Sequence, residues 1–180
     1  MLCLSLVVMR CQPLRRALAF RGKMNQYEQY FTMSLAYLEL GKVAASVDQT
    51  WDKYQQAVAY QMLHASELFL KFAILNKTNQ ESIREHSINK LLNLYEELYP
   101  EAEYKLELPF DFRENTGKSK AERARIQAHM EQFNPKFMDQ HLRYPSNNNT
   151  GGYTFFFEAC YFEQIKEKFE EVGYKILATC

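Results

Sequence analysis

The sequence predicts an all-α fold, an up-and-down bundle of about five helices in a single domain. The main observation is residues 54–75, a stretch of 22 residues that has no Gly or Pro and is dominated by good helix formers. Its apolar residues recur at three- and four-residue steps and leave only a narrow polar strip. Such a helix must be wrapped on most sides, so we expect it at the centre of the bundle. The composition agrees, because thirteen Phe, twelve Tyr and one Trp among 180 residues can fill a helical core.

Residues 1–23 differ from the rest of the chain. They hold five basic residues and no acidic residue, and their apolar run precedes the arginines, whereas a signal peptide has the opposite order. We interpret them as an over-extended start with Met24 as the true initiator, or as a disordered N-terminal extension. A basic targeting peptide is the alternative. The helical domain is therefore expected over residues 24–180.

The sequence of the first half of the domain predicts three helices. The first covers residues 25–47, with Gly41 as an expected interruption. The long central helix is capped by Asp48 or Thr50, passes through Trp51 and ends near Asn76. A polar loop follows, and His86-Ser87 then opens a third helix, whose apolar face is formed by Ile88, Leu91, Leu92, Tyr95 and Leu98.

The second half predicts a long connection and two further helices. Residues 104–108 alternate like a strand, but an isolated strand would be unstable, so we do not count it. Ser119 is expected to cap a helix through Phe133, which Pro135 breaks or kinks before a continuation to His141. Residues 143–152 are dense in turn formers. Thr154 is expected to cap the last helix, which ends at Gly173.

The polar strip of the central helix consists of His64, Glu67 and Lys71. Glu67 precedes Lys71 by four residues, which is the favourable order for an ion pair within a helix.

A basic cluster follows the long connection and has two interpretations. Its members include Lys118, Lys120, Arg123 and Arg125, which form either a solvated helix face or a patch that faces phosphate groups. A phosphate loop at Gly117-Lys118-Ser119 is not expected. Position 112 is Phe where that motif requires Gly, so the loop lacks its cradle of backbone N–H groups.

Composition and spacing exclude several other classes. The four cysteines form no Cys-x-x-Cys pair and have no His at ligand spacing, so we expect free thiols in a reducing cytosol and no metal site. No apolar run approaches the roughly 18 residues that a membrane span requires. Outside residues 1–23 the chain carries more acidic than basic residues, which argues against a non-specific coating of nucleic acid.

Three short marks occur in a fixed order along the chain. They are ASELFLKFAIL at residues 65–75, with Glu67 and Lys71; His86-Ser87; and Arg143-Tyr144-Pro145 before the last helix. Together they resemble HEPN domains (higher eukaryotes and prokaryotes nucleotide-binding), in the branch that carries Arg-Tyr-Pro. The resemblance covers residues 48–175. The chain departs from that branch at Ser146, where Asp is common.

The resemblance implies a domain that binds a nucleotide or RNA in a toxin–antitoxin, phage-defence or stress-response system. The residues expected to meet phosphate are Lys118, Lys120, Arg125 and Arg143. Glu67, Lys71, His86, Tyr144 and Pro145 are expected as structural marks of the family. The resemblance also implies a homodimer in the cytoplasm, a nucleotidyltransferase-type partner protein and no cofactor.

Two alternatives stay open. The first is a metal-independent endoribonuclease. In such an enzyme, Arg123 or Arg143 would stabilise the charge on the RNA phosphate, and His129 or His141 would transfer a proton. The separation of Arg123 from His129 fits the Arg-to-His spacing of HEPN ribonucleases, although Ala124 stands where those enzymes usually have a polar residue. The second alternative is a helical protein-interaction module without a ligand.

Overall fold

The computed structural model describes residues 25–47, 52–111, 119 and 156–179. This part of the chain contains four α-helices and one short 3-10 helix, and it contains no strand. The α-helices are α1 (Gln26–Ala45), α2 (Asp52–Thr78), α3 (Ile88–Leu98) and α4 (Ala159–Ala178). The all-α class is therefore confirmed. None of the described helices is long and apolar enough to cross a membrane.

Helix α2 lies at the centre, as its apolar pattern predicts. It packs against α1, α3 and α4, and every residue from Ala65 to Asn76 is buried. Aromatic rings fill the space between α1, α2 and α4. Phe69 of α2 stacks on Phe169 of α4 with 4.0 Å between ring centroids, and Phe72 stacks on Phe31 of α1 at 4.8 Å. Aromatic rings therefore form the core where α2 meets α1 and α4.

Helix α1 corrects one prediction, because it runs without a break through Gly41. It begins with a capping box between Asn25 and Glu28. Gly41 is buried against α4, where a Cβ atom would overlap the ring of Phe162. Glycine is needed here because the ring of Phe162 approaches the helix backbone closely. The helical residues on either side hold Gly41 in the helical conformation despite its low helix propensity.

Helix α4 corrects the predicted last helix at both of its ends. Residues 156–158 are not helical, and Phe157 packs there against Phe110 and Tyr161. The other end passes through Gly173 and reaches Ala178. A Cβ atom at Gly173 would overlap the ring of Phe31, so this glycine is also a packing position and not a terminator. The contacts Gly41–Phe162 and Phe31–Gly173 show that α1 and α4 are antiparallel.

Helix α2 ends close to the predicted residue, and the chain then returns along its own path. Asn79 adopts a positive φ of 53°, and its N–H donates to the carbonyl of Leu75, which is a common way to end a helix. Residues 79–87 run back along α2 until His86 meets Glu67. Helix α3 then follows α2 in the same general direction, because Tyr99 at its end donates to the carbonyl of Ala73. Helix α3 thereby departs from a simple up-and-down order.

The apolar face predicted for α3 is confirmed: Ile88, Leu91, Leu92 and Tyr95 are buried, and Leu98 is partly buried against the core. After the 3-10 helix Ala102–Tyr104, the side chains of Tyr104, Leu106 and Leu108 alternate inward. They pair with no strand in the described residues. The hydroxyl of Tyr95 donates to the carbonyl of Tyr104 at 2.6 Å and fixes the start of this segment.

The remaining expectations lie outside the described residues. They concern residues 1–23, the capping by Asp48, Thr50 and Thr154, the position of Trp51, the helix over 119–133 with its continuation to His141, and the loop 143–152.

Candidate functional site

The central feature is a buried ion pair on α2. Lys71 Nζ lies 2.8 Å from Glu67 Oε1, and the side chains of both residues are only 6% exposed. The pair forms because the two residues are one helical turn apart, with the acid toward the N-terminus. The predicted ion pair is confirmed, and its burial follows from the central position of α2. Two charges removed from water require such a partner.

His86 joins the same carboxylate from a different part of the chain. Its Nδ1 lies 3.0 Å from Glu67 Oε1, and its side chain is 60% exposed. Residues 79–87 bring it there by running back along α2. The structure thus joins these three residues into one group, which we call the polar cluster: Glu67, Lys71 and His86.

The ring of His86 is held in a defined state by this contact. A carboxylate oxygen can only accept a hydrogen bond, so Nδ1 of His86 must be the donor. In the neutral imidazole the lone pair is then at Nε2. The cluster therefore combines a buried carboxylate with an oriented and exposed imidazole.

Glu85 fixes the backbone on which His86 stands. Its carboxylate accepts hydrogen bonds from the N–H groups of His86 and Ser87, at 3.0 and 2.9 Å, directly before α3. Lys90 Nζ lies 2.9 Å from the other oxygen of the same carboxylate. Partial burial by itself would raise the pKa of Glu85, but the Ser87 N–H, Lys90 and the His86 N–H together lower it below the ordinary value. Glu85 is thus a charged cap for the start of α3.

The third member of the predicted polar strip does not reach the polar cluster. His64 lies between Tyr37 of α1 and Tyr60 of α2, with ring centroids 4.5 and 5.5 Å from its own. These contacts assign the imidazole of His64 to the interface between α1 and α2. The strip that looks continuous in the sequence is therefore divided into an aromatic part and a charged part.

An open cavity of about 270 Å³ lies elsewhere, at the start of α1 and the end of α2. It is lined by residues 25–27, Leu75 and residues 79–81, which include no Lys, Arg or His. Its lining therefore lacks the cations expected at a phosphate site. Within the described residues there is also no group of three or more His, Cys, Asp or Glu placed to hold a metal ion.

The residues expected to bind phosphate or to catalyse lie outside the described part of the chain. They are Lys118, Lys120, Arg123, Arg125, His129, His141 and Arg143, and the family marks Tyr144 and Pro145 lie there too. Their roles stay predictions. From the sequence, His86 is interpreted only as a mark of the fold. Its exposure and its contact with Glu67 depend on the path of residues 79–87, which the sequence pattern does not show. The order of the marks was the only signal that linked the two residues.

Comparison of the chain with protein-family models, with curated proteins and with solved structures gives no significant match. The functional argument therefore depends on the residues of this chain.

Proposed function

We propose that this protein is a HEPN-like domain that binds RNA or a nucleotide through its phosphate groups. The observation that supports the proposal is the polar cluster, because two marks that lie 15 to 19 residues apart in the sequence meet at one carboxylate. The setting that goes with this proposal is a cytoplasmic toxin–antitoxin, phage-defence or stress-response system, with a nucleotidyltransferase-type partner protein.

The residues proposed to meet phosphate are Arg143, Arg125, Lys118 and Lys120. Arginine suits this role because its guanidinium group can donate two parallel hydrogen bonds to phosphate oxygens. Binding through several cations releases counterions, so the affinity for RNA should fall steeply as the salt concentration rises.

The test is the binding of the full chain to a fluorescent single-stranded RNA and to ATP at two salt concentrations. Arg143→Ala and Lys118→Ala/Lys120→Ala should weaken binding and reduce its dependence on salt. Lys105→Ala is the matched control, because it removes one charge from a side chain that is 73% exposed and outside the predicted patch. The proposal is wrong if the folded wild type binds neither probe, or if all the variants bind like the wild type.

A second candidate is a protein-interaction module, and one surface of α1 favours it. Met33, Leu40 and Val43 are exposed, and their spacing places them on one side of the helix, away from its buried residues; Val47, just beyond the end of the helix, is exposed as well. Leu40 and Val43 are 60% and 65% exposed, and water contact of this extent is unfavourable for a continuous apolar stripe.

We propose a second copy of this chain as the partner on that stripe, consistent with the homodimer implied by the resemblance. The mass of the full chain in solution tests this. The wild type should have twice the mass of one chain, and Leu40→Glu/Val43→Glu should have the mass of one chain. Glu97→Gln/Glu101→Gln is a control that changes two charges on exposed residues and leaves the stripe unchanged. A wild type with the mass of one chain contradicts the homodimer.

A further inference from the structure

Six exposed residues along α1 repeat with the spacing of a coiled-coil interface. They include the apolar stripe described above, and we call them the α1 seam: Gln29, Met33, Ala36, Leu40, Val43 and Val47. Gln29 is the one polar member. The steps between them alternate between four and three residues, which gives the average of about 3.5 that keeps a line of side chains facing a partner helix. The spacing therefore indicates that a helix packs on this face.

The α1 seam lies on the side of α1 opposite its buried residues, which are Phe31, Ser34, Leu38 and Gly41. The neighbouring helices reach only the flanks of α1. The hydroxyl of Tyr54 on α2 donates to the carbonyl of Ala44 on one flank, and Lys166 on α4 donates to Glu39 on the other. The contacts within the described part of the bundle thus leave the α1 seam exposed along its whole length.

The sizes of the seam residues favour one orientation of two paired α1 helices. In a parallel pair each residue meets its own counterpart, so Ala36 would face Ala36 and leave a gap between the larger Met33 and Leu40 contacts. An antiparallel pair centred beside Leu38 places Ala36 opposite Leu40. The same register places Met33 opposite Val43, so each contact joins a larger side chain to a smaller one and the space is filled.

The charges around the α1 seam are compatible with the same orientation. The seam itself carries no charged residue, so it does not repel a second copy. An antiparallel pair centred beside Leu38 brings Glu39 of both copies to the same side of the interface. Each of these carboxylates is already paired with Lys166 of its own copy, so every acid enters the interface with its counter-charge. Opposite charges can then alternate across the two-fold axis.

We infer that two copies of this chain pair through α1 in an antiparallel arrangement, with the two-fold axis beside Leu38. In this register Met33 faces the partner's Val43, and Leu40 faces the partner's Ala36. The inference rests on the homodimer proposed above. It adds the orientation and the register of the two helices, which the exposure of the stripe alone does not determine.

The experiment mixes two variants of the full chain, Met33→Glu and Val43→Lys, and measures the mass in solution with a reducing agent present. Each variant alone should have the mass of one chain, because its new charge would be buried against an apolar residue of the other copy. An equal mixture should have the mass of two chains. In that mixture the introduced carboxylate at position 33 of one chain faces the introduced ammonium group at position 43 of the other, and the second contact keeps Met33 against Val43.

A matched control mixture contains Met33→Glu and Met33→Lys. These opposite charges meet only if the helices are parallel, so the control mixture should keep the mass of one chain. Met33 and Val43 are 47% and 65% exposed, so the variants should keep the fold of a single chain. Circular dichroism of each variant checks that its helix content equals that of the wild type.

The results separate this inference from the proposed homodimer. If the wild type is a dimer and the mixture of Met33→Glu with Val43→Lys keeps the mass of one chain, the inference is overturned and the homodimer stands. Recovery of the double mass in the control mixture would then show a parallel pair. Single variants that remain dimers also overturn the inference, because the interface then lies elsewhere. If the folded wild type has the mass of one chain, both the inference and the homodimer are overturned.

Discussion

The two sides of α2 are held together in different ways. Toward α1 and α4 the contact is made by aromatic rings: Phe72 stacks on Phe31 and Phe69 on Phe169, while glycines let α1 and α4 approach each other beside them. Toward the start of α3 the contact is made by the polar cluster, in which the buried Glu67 carboxylate contacts both the buried Lys71 ammonium group and the exposed His86 imidazole. The first side depends on shape and the second on charge, so the same kind of substitution should have different effects on each.

The difference between the two sides of α2 indicates where a functional site should be sought. Close packing contributes stability through shape, and it leaves little room for chemistry. A buried ion pair contributes little net stability, because desolvation offsets most of its attraction, yet removing one partner is costly. A feature that is costly to break and weak as a source of stability is a reasonable place for a functional role.

The largest effect is expected when one partner of the buried pair is removed. Lys71→Met should lower the free energy of unfolding by about 3–5 kcal/mol, because the Glu67 carboxylate would lose its buried counter-charge. Urea denaturation of wild type and variant measures this. Lys168→Met is the control, because Lys168 makes a similar contact with Glu171 at the surface. A loss below about 1 kcal/mol for Lys71→Met, the range of a surface pair, would mean that the pair is hydrated.

A smaller effect is expected on the side that depends on shape. Gly173→Ala should destabilise the protein by about 1–3 kcal/mol through overpacking, although alanine ordinarily stabilises a helix by about 1 kcal/mol over glycine. The reason is that Phe31 is held between Phe69 and Phe72 and has little freedom to move. The double variant Gly173→Ala/Phe31→Leu provides the space and should recover part of the loss. Stabilisation by Gly173→Ala alone would contradict the packing role of this glycine.

The smallest effect concerns the surface ion pairs that join α1 and α4, which are Glu39–Lys166 and Lys42–Glu163. The hydrogen bond from Lys166 is the main cause that lowers the pKa of Glu39, and the same bond raises the pKa of Lys166. For Glu39 the stabilisation is present above the ordinary value of about 4.5 and is lost as the pH falls through its lowered pKa. For Lys166 it is present below about 10.5 and is lost as the pH rises through its raised pKa.

Both groups are partly exposed, so solvent screening should limit the coupling to about 0.2–1 kcal/mol. A double-mutant cycle with Glu39→Gln and Lys166→Gln, measured by denaturation at pH 7 and at acidic pH, gives this energy. The coupling should be smaller at acidic pH and at high salt. A coupling that stays constant with pH would show that the contact is not electrostatic.

The parts of the fold that the sequence predicts are those carried by local periodicity. The three- and four-residue spacing in α2 and α3 identifies their buried faces, and the spacing of Glu67 and Lys71 predicts their ion pair. The two glycines were misjudged because helix propensity is a local property, whereas Phe31 and Phe162 reach Gly173 and Gly41 from distant segments. The start of α4 was misplaced for a similar reason, since Phe157 is drawn out of the helix by its contact with Phe110.

The candidate site was predictable only in part. The spacing of Glu67 and Lys71 predicts their ion pair, but periodicity does not encode the return of residues 79–87 along α2. Without knowledge of that path, the sequence places His86 only at the start of a helix. With it, the imidazole lies on a buried carboxylate.

The most direct test replaces the buried pair by Glu67→Met/Lys71→Met in the full chain and measures unfolding by urea. We predict a free energy of unfolding within about 1 kcal/mol of wild type, or higher, because a well-packed apolar pair often replaces a buried ion pair without loss. A loss of several kcal/mol would contradict this and show that the ion pair is itself a main source of stability.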